Sequence, residues 1–128
     1  MYTAELIDKL SAAQQLLRDG GWSQGVAKTQ DGEHCLGGAM ADVCGLDPNN
    51  ACFCGQIELD HGTSKFTAIN EDFAQMCKVA LNHIKATVGH AYSIQFFNDW
   101  EAKTFKDVDD FMTSLIGKLN GGSNVIHQ

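Results

Sequence analysis

The chain has 128 residues, a formal net charge of −7 and a hydrophobic fraction of 44%. That length is one domain with one ordinary core. The acidic balance, 16 Asp and Glu against 9 Lys and Arg, argues against a nucleic-acid binder, which needs cations for phosphate contacts. No apolar run approaches the roughly 20 residues of a membrane span. The N-terminus, Met1-Tyr2-Thr3-Ala4-Glu5, lacks the basic and apolar segments of a signal peptide. The 5 cysteines are an odd, scattered set, which reads as reduced thiols in a cytoplasmic protein.

Residues 3–18 predict a helix, with Leu6, Leu10, Ala13 and Leu17 in one stripe, Thr3 as cap and Gly20-Gly21 as stop. Trp22 follows at once and reads as a core plug. Residues 25–36 predict a hairpin turning at Asp31-Gly32, because Asp-Gly suits a two-residue turn. That register sets Gln30 opposite Glu33, Thr29 opposite His34 and Lys28 opposite Cys35. Residues 36–44 predict a short helix whose Gly37-Gly38 pair trades propensity for close approach to another backbone, with Gly45 and Pro48 as the stop.

Residues 46–66 are irregular: a turn at Asp47-Pro48-Asn49-Asn50, a short alternating stretch at Ile57 and Leu59, and a second turn from His61 to Ser64. Residues 71–88 carry the strongest helical pattern, with Phe73, Met76, Cys77, Ala80, Ile84 and Val88 in line, Asn70 as cap and Gly89 as stop. Residues 91–97 predict a strand. Thr104 and Asp107 form a capping box for a helix over 105–119, which Gly121-Gly122 would end. The predicted fold is α+β: three main helices and one short helix packed on a small, mainly antiparallel sheet. The domain spans 1–120 and the tail 121–128 is frayed.

Three pieces resemble a family of small bacterial and phage proteins of unknown function: Trp22-Ser23-Gln24-Gly25, Cys35-Leu36-Gly37-Gly38-Ala39, and Ile94-Gln95-Phe96-Phe97-Asn98-Asp99 followed by Lys103-Thr104 and Asp107-Val108. The family often has a tryptophan before the Asn-Asp pair, where this chain has Phe97, and the cysteines around Cys52 and Cys54 look peculiar to this chain. The resemblance supplies no activity. It implies a phage or prophage setting, in which small acidic proteins often bind and inhibit a host component.

Three constellations carry candidate chemistry. Cys35 lies where the hairpin meets a helix N-terminus, so its thiol could serve as a nucleophile with His61, His83 or His90 as base and Asn98 or Asp99 to orient it. Adjacent strand residues face opposite ways, so His34 is badly placed as that base, and a small core thiol explains Cys35 more simply. Cys44, Cys52, Cys54 and His61 could close a zinc site, but the C-x-C spacing is not that of a zinc knuckle and no metal is expected. Asn98, Asp99 and Trp100, with Trp22 and Tyr92, form either a hydrogen-bonded turn or a polar rim for a small ligand or a partner's side chain. The chain has no phosphate-binding loop of the P-loop or dinucleotide type, and no cofactor is expected.

Together these readings predict a non-enzymatic accessory protein that binds a host protein or a small signalling molecule. The alternative is a cysteine-dependent hydrolase built on Cys35, and a zinc-stapled interaction module is weaker still.

Overall fold

A computed structural model describes residues 3–51, 70–90 and 93–125. The described residues are helical: α1 (Thr3–Gly20), α2 (Leu36–Val43), α3 (Pro48–Ala51), α4 (Glu71–Val88), α5 (Ile94–Phe96), a π-helical turn (Phe97–Glu101) and α6 (Phe105–Val125). No strand forms among them, so the α+β prediction and its antiparallel sheet are overturned; the fold is all-helical.

The helices form where spacing and caps dictate. In α1 the stripe Leu6, Leu10, Ala13 and Leu17 is buried. Gly21 then adopts φ 100°, and its N–H reaches the Leu17 carbonyl at 3.0 Å. Helix α2 closes in a Schellman motif: Gly45, at φ 80°, donates to Asp42 and Leu46 donates to Ala41. Pro48 opens α3, where its missing N–H costs nothing, and the Asp47 carboxylate accepts from Asn49 N–H. Asn70 caps α4 through Phe73 N–H at 2.8 Å. The Asp107 carboxylate accepts from Lys103 N–H at 2.8 Å and Thr104 N–H at 3.3 Å, the return half of a capping box. Helix α6 runs on through Gly121-Gly122 to Val125, past the expected stop. The alternating stretch at Ile57 and Leu59 and the turn at 61–64 lie outside the described residues.

The strand predicted over 91–97 is helical from Ile94 onward. Its apolar residues fit either period, and two local facts decide. Ser93 Oγ accepts from Phe96 N–H at 2.8 Å and starts a helical turn. Ile94, Phe97 and Asn98 are then buried together, a spacing that only a helix places on one face.

The hairpin prediction fails for a related reason. Only Gly32 takes positive φ, at 92°, so Asp31-Gly32 is not the two-residue turn in which both residues do. Gln30-Asp31 instead form an ordinary turn followed by the left-handed Gly32, with Gly32 N–H bonded to Thr29 O and Thr29 N–H to Glu33 O. The longer loop slips the register by one residue: Lys28 bridges His34, and Cys35 N–H bonds Ala27 O. His34 also bridges Trp22 on its other side. Residues 33–35 are thus held between two extended pieces, each too short to be a strand.

The core joins α1, α2, α4, the 94–101 segment and α6 around Leu10, Leu36, Met40, Met76, Ile84, Ile94 and Met112. Burying each such side chain stabilises the fold by about 1.5–3 kcal/mol. Across α1 and α6, Arg18 pairs with Asp109 at 2.7 Å, and Gln14 Nε2 donates to Thr113 Oγ1 at 2.8 Å.

Candidate functional site

The three sequence pieces singled out above, separated by up to 76 positions, meet at one side chain. Asn98 is 0% exposed. Its Oδ1 accepts from the Trp22 indole N–H at 2.6 Å and from Leu36 N–H at 2.9 Å. Its Nδ2 donates to Ser23 O at 3.0 Å and to Asp99 Oδ1 at 2.8 Å. A primary amide has two acceptor lone pairs and two N–H bonds, so every hydrogen-bonding position of Asn98 is filled. The network also fixes which way the amide points. Both partners of Oδ1 can only donate, and both partners of Nδ2 can only accept.

The neighbours extend this network. Asp99 Oδ1 also accepts from Gly25 N–H at 3.0 Å. Gln24 Nε2 lies within reach of the carbonyls of Asn98, Asp99 and Ala102, at 3.1, 3.2 and 3.2 Å. Ala102 N–H closes the π-helical turn onto Phe97 O at 2.8 Å. The widened turn leaves carbonyls that an ordinary helical ladder would not satisfy, and Gln24 answers them. Trp22 completes the region by packing its ring 6.4 Å from that of Phe105.

Trp22, Asn98 and Asp99 are therefore brought together by hydrogen bonds, with Asn98 buried and the other two half-buried. Trp100, in the same turn, is 67% exposed. Tyr92 lies outside the described residues. Gln24 and the backbone of Leu36 were not recognised from sequence. The only available signal was that Trp22-Ser23-Gln24-Gly25 and the piece ending in Asn98-Asp99 both carry the family resemblance, which says nothing of their meeting.

Cys35 is buried, as expected, and serves as the N-cap of α2: its Sγ accepts from Gly38 N–H at 3.2 Å. A Cβ on Gly38 would overlap the Ala27 carbonyl, so the close approach expected of the glycine pair falls on Gly38. The expected helpers of a Cys35 nucleophile among the described residues are turned to other groups. Asp99 Oδ1 is bound by Gly25 and Asn98, and His90 Nε2 lies 3.5 Å from Glu101 Oε2. His83 Nε2 faces Ser114 Oγ at 3.0 Å, and its ring lies 5.1 Å from that of Phe111. Burial, then the charge of Lys118, lowers the His83 pKa. His61 lies outside the described residues.

For zinc, Cys44 is the one member of the candidate set among the described residues. Burial pushes its thiol up to about 11, away from the thiolate a metal needs, and its Sγ lies 3.4 Å from Met76 Sδ. Cys52 and Cys54 lie outside the described residues. No cluster of metal-ligating side chains occurs among the described residues.

A second buried polar corner was not foreseen. His34, 2% exposed, directs Nε2 at Asp42 Oδ2 at 2.7 Å, and Lys28 Nζ lies 3.6 Å from the same oxygen. His34 Nδ1 is buried and has no hydrogen-bond partner among the described residues.

No helix among the described residues is long and apolar enough to cross a membrane. No match to the chain was found among curated proteins or among solved structures. Over residues 1–117 the sequence matches a family of unknown function (DUF6197), and the chain belongs to that family.

Proposed function

We propose that the protein is a non-enzymatic binding module, an accessory protein of the bacterial or phage kind that engages a host protein in the cytoplasm. The observation that carries this reading is the contrast within one turn. Asn98 is sealed inside with every polar position filled, while Trp100, two residues on, presents its indole to solvent on that immobilised backbone. Exposed tryptophans on pre-organised surfaces are the usual anchors of protein interfaces. Cys35 is 2% exposed, which keeps a substrate from its thiol and supports binding over hydrolysis.

The test is capture from a host lysate with the wild-type protein and with Trp100→Ala, both confirmed folded, together with extraction of small molecules from the purified protein. The expected result is a stoichiometric protein partner that Trp100→Ala loses. An identical partner set for both proteins, or a stoichiometric small molecule in place of a protein, contradicts the reading.

A further inference from the structure

Helix α6 is held on two sides by different chemistry. Towards α1, Arg18 Nε lies 2.7 Å from Asp109 Oδ1, and Gln14 Nε2 donates to Asp109 and Thr113. Towards α4 the polar contact is made by His83, which is 6% exposed. Its Nε2 lies 3.0 Å from Ser114 Oγ, and its ring lies 5.1 Å from that of Phe111. The Phe111 ring in turn lies 4.6 Å from that of Phe97, the residue before Asn98.

The two sides answer acid differently. His83 Nδ1 is buried and has no hydrogen-bond partner among the described residues. A buried N–H without an acceptor is rarer than a buried acceptor without a donor. The neutral ring therefore carries its proton on Nε2, as a donor to Ser114, and leaves Nδ1 as a bare lone pair. Protonation would add an N–H at Nδ1 with no acceptor, and a positive charge inside the seam. The Lys118 ammonium, facing the ring from α6, opposes that charge, and no carboxylate among the described residues offsets it. Across the helix, the hydrogen bonds from Arg18 and then Gln14 hold the Asp109 carboxyl below its usual range, so that side keeps its charge in mild acid.

We propose that His83 is an acid-sensitive latch between α4 and α6: uptake of a proton at Nδ1 releases this seam and uncovers Phe111, while α6 stays tethered to α1. The latch does not depend on the binding-module reading.

The test is native-state amide exchange of the full chain from about pH 7 down to about pH 5. Each rate is divided by the intrinsic rate at that pH, and the series is repeated in low urea to separate local opening from global unfolding. The expected result is that the amides of Met112, Ser114, Leu115 and Lys118 exchange through an opening insensitive to low urea. Their protection should fall below pH 6.5, the ordinary histidine value, by up to about tenfold per pH unit, the limit for one proton. His83→Gln should abolish this dependence. Lys118→Gln changes an exposed residue and lifts the charge that opposes protonation, so it should weaken the dependence, and it keeps the test open if His83→Gln does not fold. Protection that is flat across this range, or equally pH-dependent in His83→Gln or in Lys118→Gln, would overturn the latch. A pH-dependent loss as sensitive to urea as that of the α1 amides would give His83 a part in global stability alone and overturn local release.

Discussion

Two buried polar corners of this protein, Asn98 and His34, are built differently although Asn98 bonds Leu36, only two residues after His34. Asn98 fills both lone pairs and both N–H bonds with partners from four positions: Trp22, Ser23, Leu36 and Asp99. His34 fills one ring nitrogen, through a carboxylate that is itself 34% exposed, and leaves Nδ1 without a partner among the described residues. A saturated network in a dry interior specifies one geometry, because any shift strands a donor or an acceptor. The half-filled corner has less to lose. The difference teaches that burial alone does not identify the group that organises a fold; the count of filled positions does.

The contrast is broken most severely from outside the network. Gly38→Ala drives a Cβ into the Ala27 backbone, which cannot rotate away, and should cost about 3 kcal/mol or more. Urea unfolding of the variant measures this, and a loss within experimental scatter would show that the backbone yields there. Trp22→Phe keeps an aromatic ring but removes the pyrrole N–H and its volume, stranding one lone pair of Asn98 Oδ1, for an expected loss of about 1–3 kcal/mol in the same assay. Asp42→Asn keeps an oxygen for His34 and alters a part-exposed pair, so it should cost less than about 1 kcal/mol. If it costs as much as Trp22→Phe, the two corners are equivalent and the comparison fails.

A pH series sharpens the same point elsewhere. Burial holds the His83 pKa below its ordinary 6.5, so between the folded value and 6.5 the unfolded chain binds more protons than the folded one. The stability that this contributes is fully present above 6.5 and is lost as the pH falls through the folded value. His83→Gln should flatten this part of the stability-against-pH curve, read from thermal midpoints. The smallest effect belongs to the surface: Trp100→Ala should shift stability by no more than about 0.5 kcal/mol in either direction, since its indole is 67% exposed.

How much of this was legible in the sequence depends on range. Helices α1 and α4 were, because Leu6, Leu10, Ala13 and Leu17, and Phe73, Met76, Cys77 and Ala80, repeat at the helical period. The caps at Asn70 and Thr104–Asp107 were also visible, being local chemistry. The segment 94–101 was not. Ile94, Phe96 and Phe97 suit a strand or a helix, the Ser93 cap that starts the helical turn was overlooked, and three of the four partners of Asn98 lie 62 to 76 positions away. The hairpin misled because Asp-Gly has two turn conformations, and the choice rests on the φ of one residue. At the candidate site, Trp22, Asn98 and Asp99 stood out as residues, but the choice between a hydrogen-bonded turn and a ligand-binding rim stayed open. Polar side chains on adjacent loops carry no mark in sequence of whether they face water or one another.

The central claim is that Asn98 is the structural hub through which the Trp22, Cys35-Leu36 and Asn98-Asp99 pieces become one unit. Urea unfolding of Asn98→Asp tests it most directly. The substitution keeps the shape and both acceptor contacts, and it sets a buried carboxylate oxygen against Ser23 O and Asp99 Oδ1 in place of two donated hydrogen bonds. The account predicts a loss of about 3–5 kcal/mol, as for an uncompensated buried charge. A loss below about 1 kcal/mol, with the fold intact, would contradict it and return Asn98 to the role of a ligand-binding side chain.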